Sequence, residues 1–255
     1  MMLGSVTYNV LKDWDLETVI QKLEQAGFEA VELRTSHKHG VEPSLNAEER
    51  AKVRARFEKS KVRLLSYGST CEFQSPDPKI RKINIDEAKT FVDLAHDTGA
   101  WGVKVRPNGF PKDVPRHETI DTIGASLREL GEYAQGKGVE IWLEVHGAET
   151  QAPPVCAGIM RATKHDSVGL CWNSNPTDVV NGSVKQSFDL LRPWIKSCHI
   201  NELANDKYPW RELFSLLSQS GYQGYCDVEV SPESTEPIRF LRSFRALFLA
   251  LQNAV

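Results

Sequence analysis

Ile141-Trp142-Leu143-Glu144-Val145-His146-Gly147 is the stretch whose reading decides the fold. It has a two-residue period: Ile141, Leu143 and Val145 point one way, Trp142, Glu144 and His146 the other. On a half-exposed antiparallel strand the polar set would face water. Here an acid and an imidazole stand at the C-terminal end of the run, followed by Gly147. Barrels built from parallel strands place their chemistry at that end. A surface strand shows the same alternation, so the flanking sequence has to separate the two.

Outward in both directions, short β-like runs alternate with amphipathic helical runs. The strands are expected at Met2 to Thr7, Ala30 to Arg34, Val62 to Tyr67, Trp101 to Arg106, the stretch above, Val168 to Asn173, Ile195 to Asn201 and Tyr225 to Val230. The helices between and after them are expected at about Leu16 to Gln25, Ala47 to Ser60, Lys79 to Asp97, His117 to Gln135, Pro154 to Thr163, Val184 to Leu191, Pro209 to Gln219 and Pro237 to Leu251. Asn46 suits the N-cap of the second helix, and Gly27 and Gly99 suit helix ends. This alternation predicts parallel strands with helical crossovers. With no linker or repeat, eight such units in 255 residues predict one domain, a single (β/α)8 barrel over residues 1–255. A doubly wound open sheet is the alternative, but Gly4 lacks the glycine-rich company of its usual nucleotide loop.

Composition narrows the function classes. Hydrophobic residues make up 40% of the chain and charged residues 25%, as in a soluble globular protein. Net charge is -3, with no basic tail, which argues against a nucleic-acid partner held by phosphate neutralisation. The five cysteines are odd in number and form no CxxC pair, so buried free thiols are expected rather than disulfides or a zinc finger. There is neither a signal-like N-terminus nor an apolar run of ~20 residues, so cytoplasmic placement and no membrane partner are expected.

In a barrel, alternate residues of each strand face inward. Parity then places Glu32, Arg34, Lys104, Arg106, Glu144, His146, Cys171, Asn173, His199, Asn201, Asp227 and Glu229 inside. The outward set, from Val31 and Leu33 through Trp172 and Ile200 to Val230, is almost wholly apolar, as packing against a helix ring demands. Polar residues therefore gather at the C-terminal ends of the strands. The competing reading is a ring of internal ion pairs that merely fills the barrel mouth. Within the ring, Glu144, Asn173, His199 and Glu229 sit on consecutive strands five to eight. Two carboxylates, an amide oxygen and an imidazole suit a hard divalent ion, Mn²⁺ or Mg²⁺ before Zn²⁺. Glu32, Arg34, Lys104, Arg106, His146 and Asn201 remain to hold a substrate's carboxylate, phosphate or hydroxyl groups.

Ala30-Val31-Glu32-Leu33, Leu143-Glu144-Val145-His146, Val168-Gly169-Leu170-Cys171-Trp172-Asn173, Cys198-His199-Ile200-Asn201 and Val228-Glu229-Val230 carry a family likeness. Over essentially its whole length the chain resembles the sugar-phosphate isomerase/epimerase group of xylose-isomerase-like TIM barrels, and AP-endonuclease family 2, which shares that fold. The resemblance implies that Glu144 and Glu229 bind the metal and shuttle protons, that His199 is a metal ligand, and that the substrate is a small carbohydrate, with a homo-oligomer admissible. The chain departs from the pattern at three points. Asn173 stands where the family usually has aspartate, Pro176 where its ketose epimerases often have histidine, and only Lys207 or Arg211 approaches the arginine expected after His199.

The expected function is a metal-dependent sugar or sugar-phosphate isomerase or epimerase, moving a proton next to a carbonyl at the barrel mouth. A keto-polyol dehydratase begins with the same proton abstraction. An endonuclease at abasic sites would need a multi-zinc cluster with more strand-end histidines than His146 and His199. A metal-free, non-catalytic sugar-binding barrel is kept in view by Asn173 and Pro176.

Overall fold

The computed structural model describes residues 1–230 and 234–252. Eight parallel strands close into a barrel in chain order, with β1 (Met2–Val6) paired to both β2 (Ala30–Arg34) and β8 (Tyr225–Val228). Between them lie β3 (Arg63–Glu72), β4 (Gly102–Arg106), β5 (Glu140–Glu144), β6 (Val168–Asn173) and β7 (Ile195–Ile200). The outer ring is α1 (Leu16–Ala26), α2 (Ala47–Glu58), α3 (Pro78–Thr98), α4 (Arg116–Gln135), α5 (Pro153–Thr163), α6 (Lys185–Leu191), α7 (Trp210–Gln219) and α8 (Pro237–Gln252). No helix among the described residues is long and apolar enough to cross a membrane.

Local sequence sets the helix limits. Asp15 accepts from the Thr18 amide at the start of α1, and Gly27 ends that helix with φ 78°. Asn46 and Glu49 satisfy each other's amides in a capping box that starts α2. Gly99, at φ 82°, ends α3.

The parity set splits as a barrel requires. Val31, Leu33, Val103, Val105, Leu143, Val145, Leu170, Trp172, Cys198, Ile200, Val228 and Val230 all join one buried cluster with the helix faces. Ala30, Leu65, Trp142, Cys171 and Tyr225 form a second, smaller cluster inside the barrel. The Trp142 indole lies so close to Gly102 that a Cβ there would sit 2.7 Å from the ring. This apolar plug closes the lower barrel, so the polar residues above it open only toward the C-terminal mouth.

Four strands end differently from expectation in ways that bear on the site. β5 stops at Glu144, β7 at Ile200 and β8 at Val228, so His146, Asn201 and Glu229 stand just beyond the ladder. After β5 and β8 the chain continues extended for one more bond: the Val145 amide donates to Cys171 O at 3.0 Å and the Glu229 amide to Ile200 O at 2.9 Å. Alternation therefore survives the end of regular pairing. β3 runs five residues past Tyr67, through the turn-like Gly68-Ser69-Thr70. Its register against β4 shifts between Gly68 and Glu72, and Ser69 Oγ donates to Lys104 O at 2.7 Å across that gap.

Candidate active site

The centre of the mouth is His199. Its ring is fully buried, with Nδ1 3.2 Å from Glu229 Oε2 and 3.4 Å from Glu144 Oε1, and neither ring nitrogen has a well-formed hydrogen bond. Glu144, His199 and Glu229 each present one donor atom within 4.8 Å of the others. Asn173 is buried beside them, its Nδ2 donating to Glu144 Oε1 at 3.4 Å. From below, Glu32 Oε1 lies 3.4 Å from His199 Nε2 while Ser66 Oγ donates to Glu32 Oε2 at 2.8 Å. Room for that carboxylate comes from Gly68, where a Cβ would stand 2.7 Å from Glu32 Oε1. Glu32 thus faces Nε2 from below while Nδ1 faces the two upper carboxylates.

Lys104 completes the floor. Its Nζ donates to Glu144 Oε2 at 2.6 Å, and both side chains are almost wholly buried. Burial alone would weaken the ammonium, but Glu144, Glu32 and Glu229 outweigh it and raise the Lys104 pKa. Burial would likewise raise Glu144, yet Lys104 and His199 together outweigh it and hold the carboxyl below the usual carboxylate range. His199 is pushed down by burial and up, more strongly, by Cys171, Glu32 and Glu229 around it.

Above this floor is a 240 Å³ pocket lined by Arg34, Lys104, Arg106, Glu144, His146, Asn173, Asn201 and Glu229, with Tyr8 and Asn175 at its rim. Glu32 and His199 lie beneath it rather than in its wall. Glu32 does not pair with Arg34, whose guanidinium donates to Thr35 O at 3.3 Å and lies 5.8 Å from the Tyr8 ring centre. Contact with a substrate is therefore open to Arg34 and closed to Glu32. Arg106 Nη2 is 3.8 Å from Glu72 Oε2, Asn108 donates to the same carboxylate, and His146 Nδ1 is 3.1 Å from Asn108 Oδ1. His37 and His39 stay outside the pocket: His37 meets Thr7 Oγ1 at 2.9 Å, and His39 bonds Arg34 O and the Val41 amide. Tyr8, Glu72, Asn108 and Asn175 escape strand parity because they lie at or beyond strand ends.

A buried acid supports the wall next to Asn173. Asp178 accepts from the Asn175 amide at 2.8 Å and from Tyr208 OH at 3.0 Å, and burial pushes its carboxyl up to about 7. Its folded pKa lies above the ordinary 3.8, so its contribution to stability is fully present below that value and is lost as pH rises toward 7. The stability of Asp178→Asn relative to the parent, followed by Tm, should accordingly rise between pH 4 and pH 8, by roughly 4 kcal/mol over that range. A difference that does not change with pH would show that Asp178 ionises normally in the fold.

The donor set fits a divalent cation. A buried, hydrogen-bond-orphaned imidazole nitrogen facing two carboxylate oxygens is what such an ion requires, and Asn173 stands beside them with its amide nitrogen turned to Glu144. The fold and site define a parallel barrel with a carboxylate–imidazole centre at its C-terminal mouth. The chain belongs to the xylose isomerase-like TIM barrel family, whose model matches residues 20–244. It is 23% identical to the fructoselysine 3-epimerase of Escherichia coli O157:H7, over 92% of this chain and 93% of that protein. Its fold matches the D-psicose 3-epimerase of Clostridium cellulolyticum H10, solved with D-tagatose, at TM-score 0.84 and 16% identity over 99% of each chain. A zinc-bound IOLI protein matches at TM-score 0.77 and 18% identity, over 98% of this chain and 96% of that one.

Proposed function

We propose that the protein is a divalent-metal-dependent sugar or sugar-phosphate epimerase or isomerase, transferring a proton at the carbon next to a carbonyl. The observation that carries this reading is the pair of carboxylates, Glu144 and Glu229, on two sides of the orphaned His199 Nδ1. The epimerase relatives support the same class of chemistry. Glu144, His199, Glu229 and Asn173 would hold the ion, Mn²⁺ or Mg²⁺ before Zn²⁺. When bound, such an ion supplies Lewis-acid polarisation of the carbonyl and its neighbouring hydroxyl.

The chain's own residues divide the remaining work. Proton abstraction falls to Glu229: it is the more exposed of the two acids, with 21% of its side chain accessible, and its carboxylate borders the pocket. Glu144 Oε2 is held by Lys104, which makes Glu144 the weaker base and places an ammonium where charge develops on a substrate oxygen. Arg34, Arg106, His146 and Asn201 offer donors to the other hydroxyls or to a phosphate. The reading is tested by incubating ketoses and their phosphates with the metal-loaded protein and looking for the epimer or aldose. An unsaturated, dehydrated product would instead point to the keto-polyol dehydratase. Binding without turnover of any ketose would point to a sugar-binding barrel.

Asn173 lowers the negative charge facing the ion by one relative to an aspartate. Asn173→Asp should tighten Mn²⁺ binding roughly tenfold or more, which adds about 1.4 kcal/mol to the stabilisation by excess ion. Melting curves with Mn²⁺ and with chelator measure this directly. A smaller Mn²⁺-induced rise in Tm for the variant would show that residue 173 is not a ligand.

A further inference from the structure

The mouth has a neighbour of different chemistry. A 350 Å³ cleft opens beside the sugar-sized pocket, between the segments that follow β6 and β7. Its walls include Pro176, Val179, Tyr208 and Trp210. Asn201 borders both spaces, and its Nδ2 donates to Ser174 O at 3.0 Å. The backbone leaving β6 alternates between them: Asn173 and Asn175 face the pocket, Ser174 and Pro176 the cleft. The two spaces therefore share one thin wall.

The wall chemistry differs. Apart from Tyr8, the pocket is lined only by charged and amide or imidazole side chains, as a polyhydroxylated ligand needs. Two aromatic rings at 4.4 Å line the cleft. Both are fixed before any ligand arrives. Tyr208 OH donates to Asp178 and accepts from Trp172 Nε1 at 3.1 Å, and Trp210 Nε1 donates to Glu202 O at 3.2 Å. The pocket alone is smaller than the roughly 300–1,000 Å³ of small-molecule sites, and the cleft adjoins it across Asn201. Glu202, Asn205 and Lys207 also border the cleft, around the apolar surface of Pro176, Val179, Tyr208 and Trp210. A bare monosaccharide leaves that apolar surface without a use.

We propose that the cleft is a subsite for an apolar substituent carried by the sugar, so that the substrate is a substituted ketose rather than a free one. The inference rests on the sugar-binding reading of the mouth, and its test separates the subsite from the reaction. The probes are D-fructose and its O1- and O6-hexyl ethers. Affinity is measured by calorimetry on the Mn²⁺-loaded protein, and proton transfer by uptake of deuterium from D2O. One ether should bind at least about tenfold tighter than fructose, the scale on which apolar pockets discriminate. Val179→Phe, which fills the cleft, should bring that ratio close to one. Asn205→Trp, at the exposed rim, should do the same, covering the case in which Val179→Phe does not fold. If the ether binds with this pattern but neither sugar takes up deuterium, the subsite stands and the proton-transfer reading falls. Ethers that bind no better than fructose, or an advantage that survives both fillings, overturn the subsite. A change of oligomeric state in both variants also overturns it, because the cleft would then be a face between copies of this chain.

Discussion

Glu229→Gln is expected to abolish turnover and the uptake of solvent deuterium into a ketose substrate, by ~10²–10⁴-fold, the usual worth of a positioned acid or base. Glutamine keeps the size of the side chain and one oxygen for the ion but cannot accept the substrate proton. Glu144→Gln should also stop turnover, with a different exchange pattern. Its Oε2 is bound by Lys104 in the parent; on the proposed assignment it serves the second half of the reaction, and the face served by Glu229 should still exchange. Epimer formation and deuterium uptake, measured on the same samples, separate the two outcomes. Glu229 has 21% of its side chain exposed, so its glutamine variant should fold normally. Near-parental activity in both variants would remove these carboxylates from the chemistry and leave only the fold reading intact. Loss of exchange in Glu144→Gln with retention in Glu229→Gln would reverse their assigned order.

Lys104→Met is expected to cost the fold about 3–5 kcal/mol, because it leaves Glu144 buried without its ammonium partner. The loss propagates, since Lys104 also faces the charges of Glu32 and Glu229. Adding Glu144→Gln to Lys104→Met should return much of the stability: the uncompensated charge goes, and the shared term appears as non-additivity in a double-mutant cycle. Denaturant unfolding of the four proteins without metal gives the coupling. A Lys104→Met protein as stable as the parent would show that the pair is solvated. On the proposed reading catalysis should fall in the same variant even where it folds, because the pocket loses the ammonium that holds Glu144.

Inner and outer residues were legible because period-two alternation is strict on a strand whose outer face packs against helices. Leu143 and Val145 had to face the helix ring, so Glu144 had to face the barrel axis. The same logic reached Lys104, Asn173, His199 and Glu229. It could not distinguish depth, so Glu32 was grouped with Arg34 although two residues of rise put one beneath His199 and the other at the mouth. Asn108 lies past the end of β4, where parity no longer applies, and Glu72 was illegible for another reason. Gly68-Ser69-Thr70 carries the composition of a turn, yet β3 continues through it because Gly68 makes room for Glu32 and Ser69 bonds across the register shift. The apolar cleft depends on Tyr208 being tied to Asp178 thirty residues away, a pairing that no local pattern announces.

The most direct measurement is proton NMR of a ketose substrate in D2O after incubation with the purified protein, run with Mn²⁺, with chelator, and with Mn²⁺ restored, the ion being removed before each spectrum is recorded. Selective loss of the proton next to the carbonyl is expected with Mn²⁺, should stop with chelator, and should return on adding the ion back. Exchange that continues unchanged in chelator, together with no Tm response to Mn²⁺, would contradict the account: Glu144, His199 and Glu229 would then be a buried ion-pair cluster and not a metal centre for proton transfer.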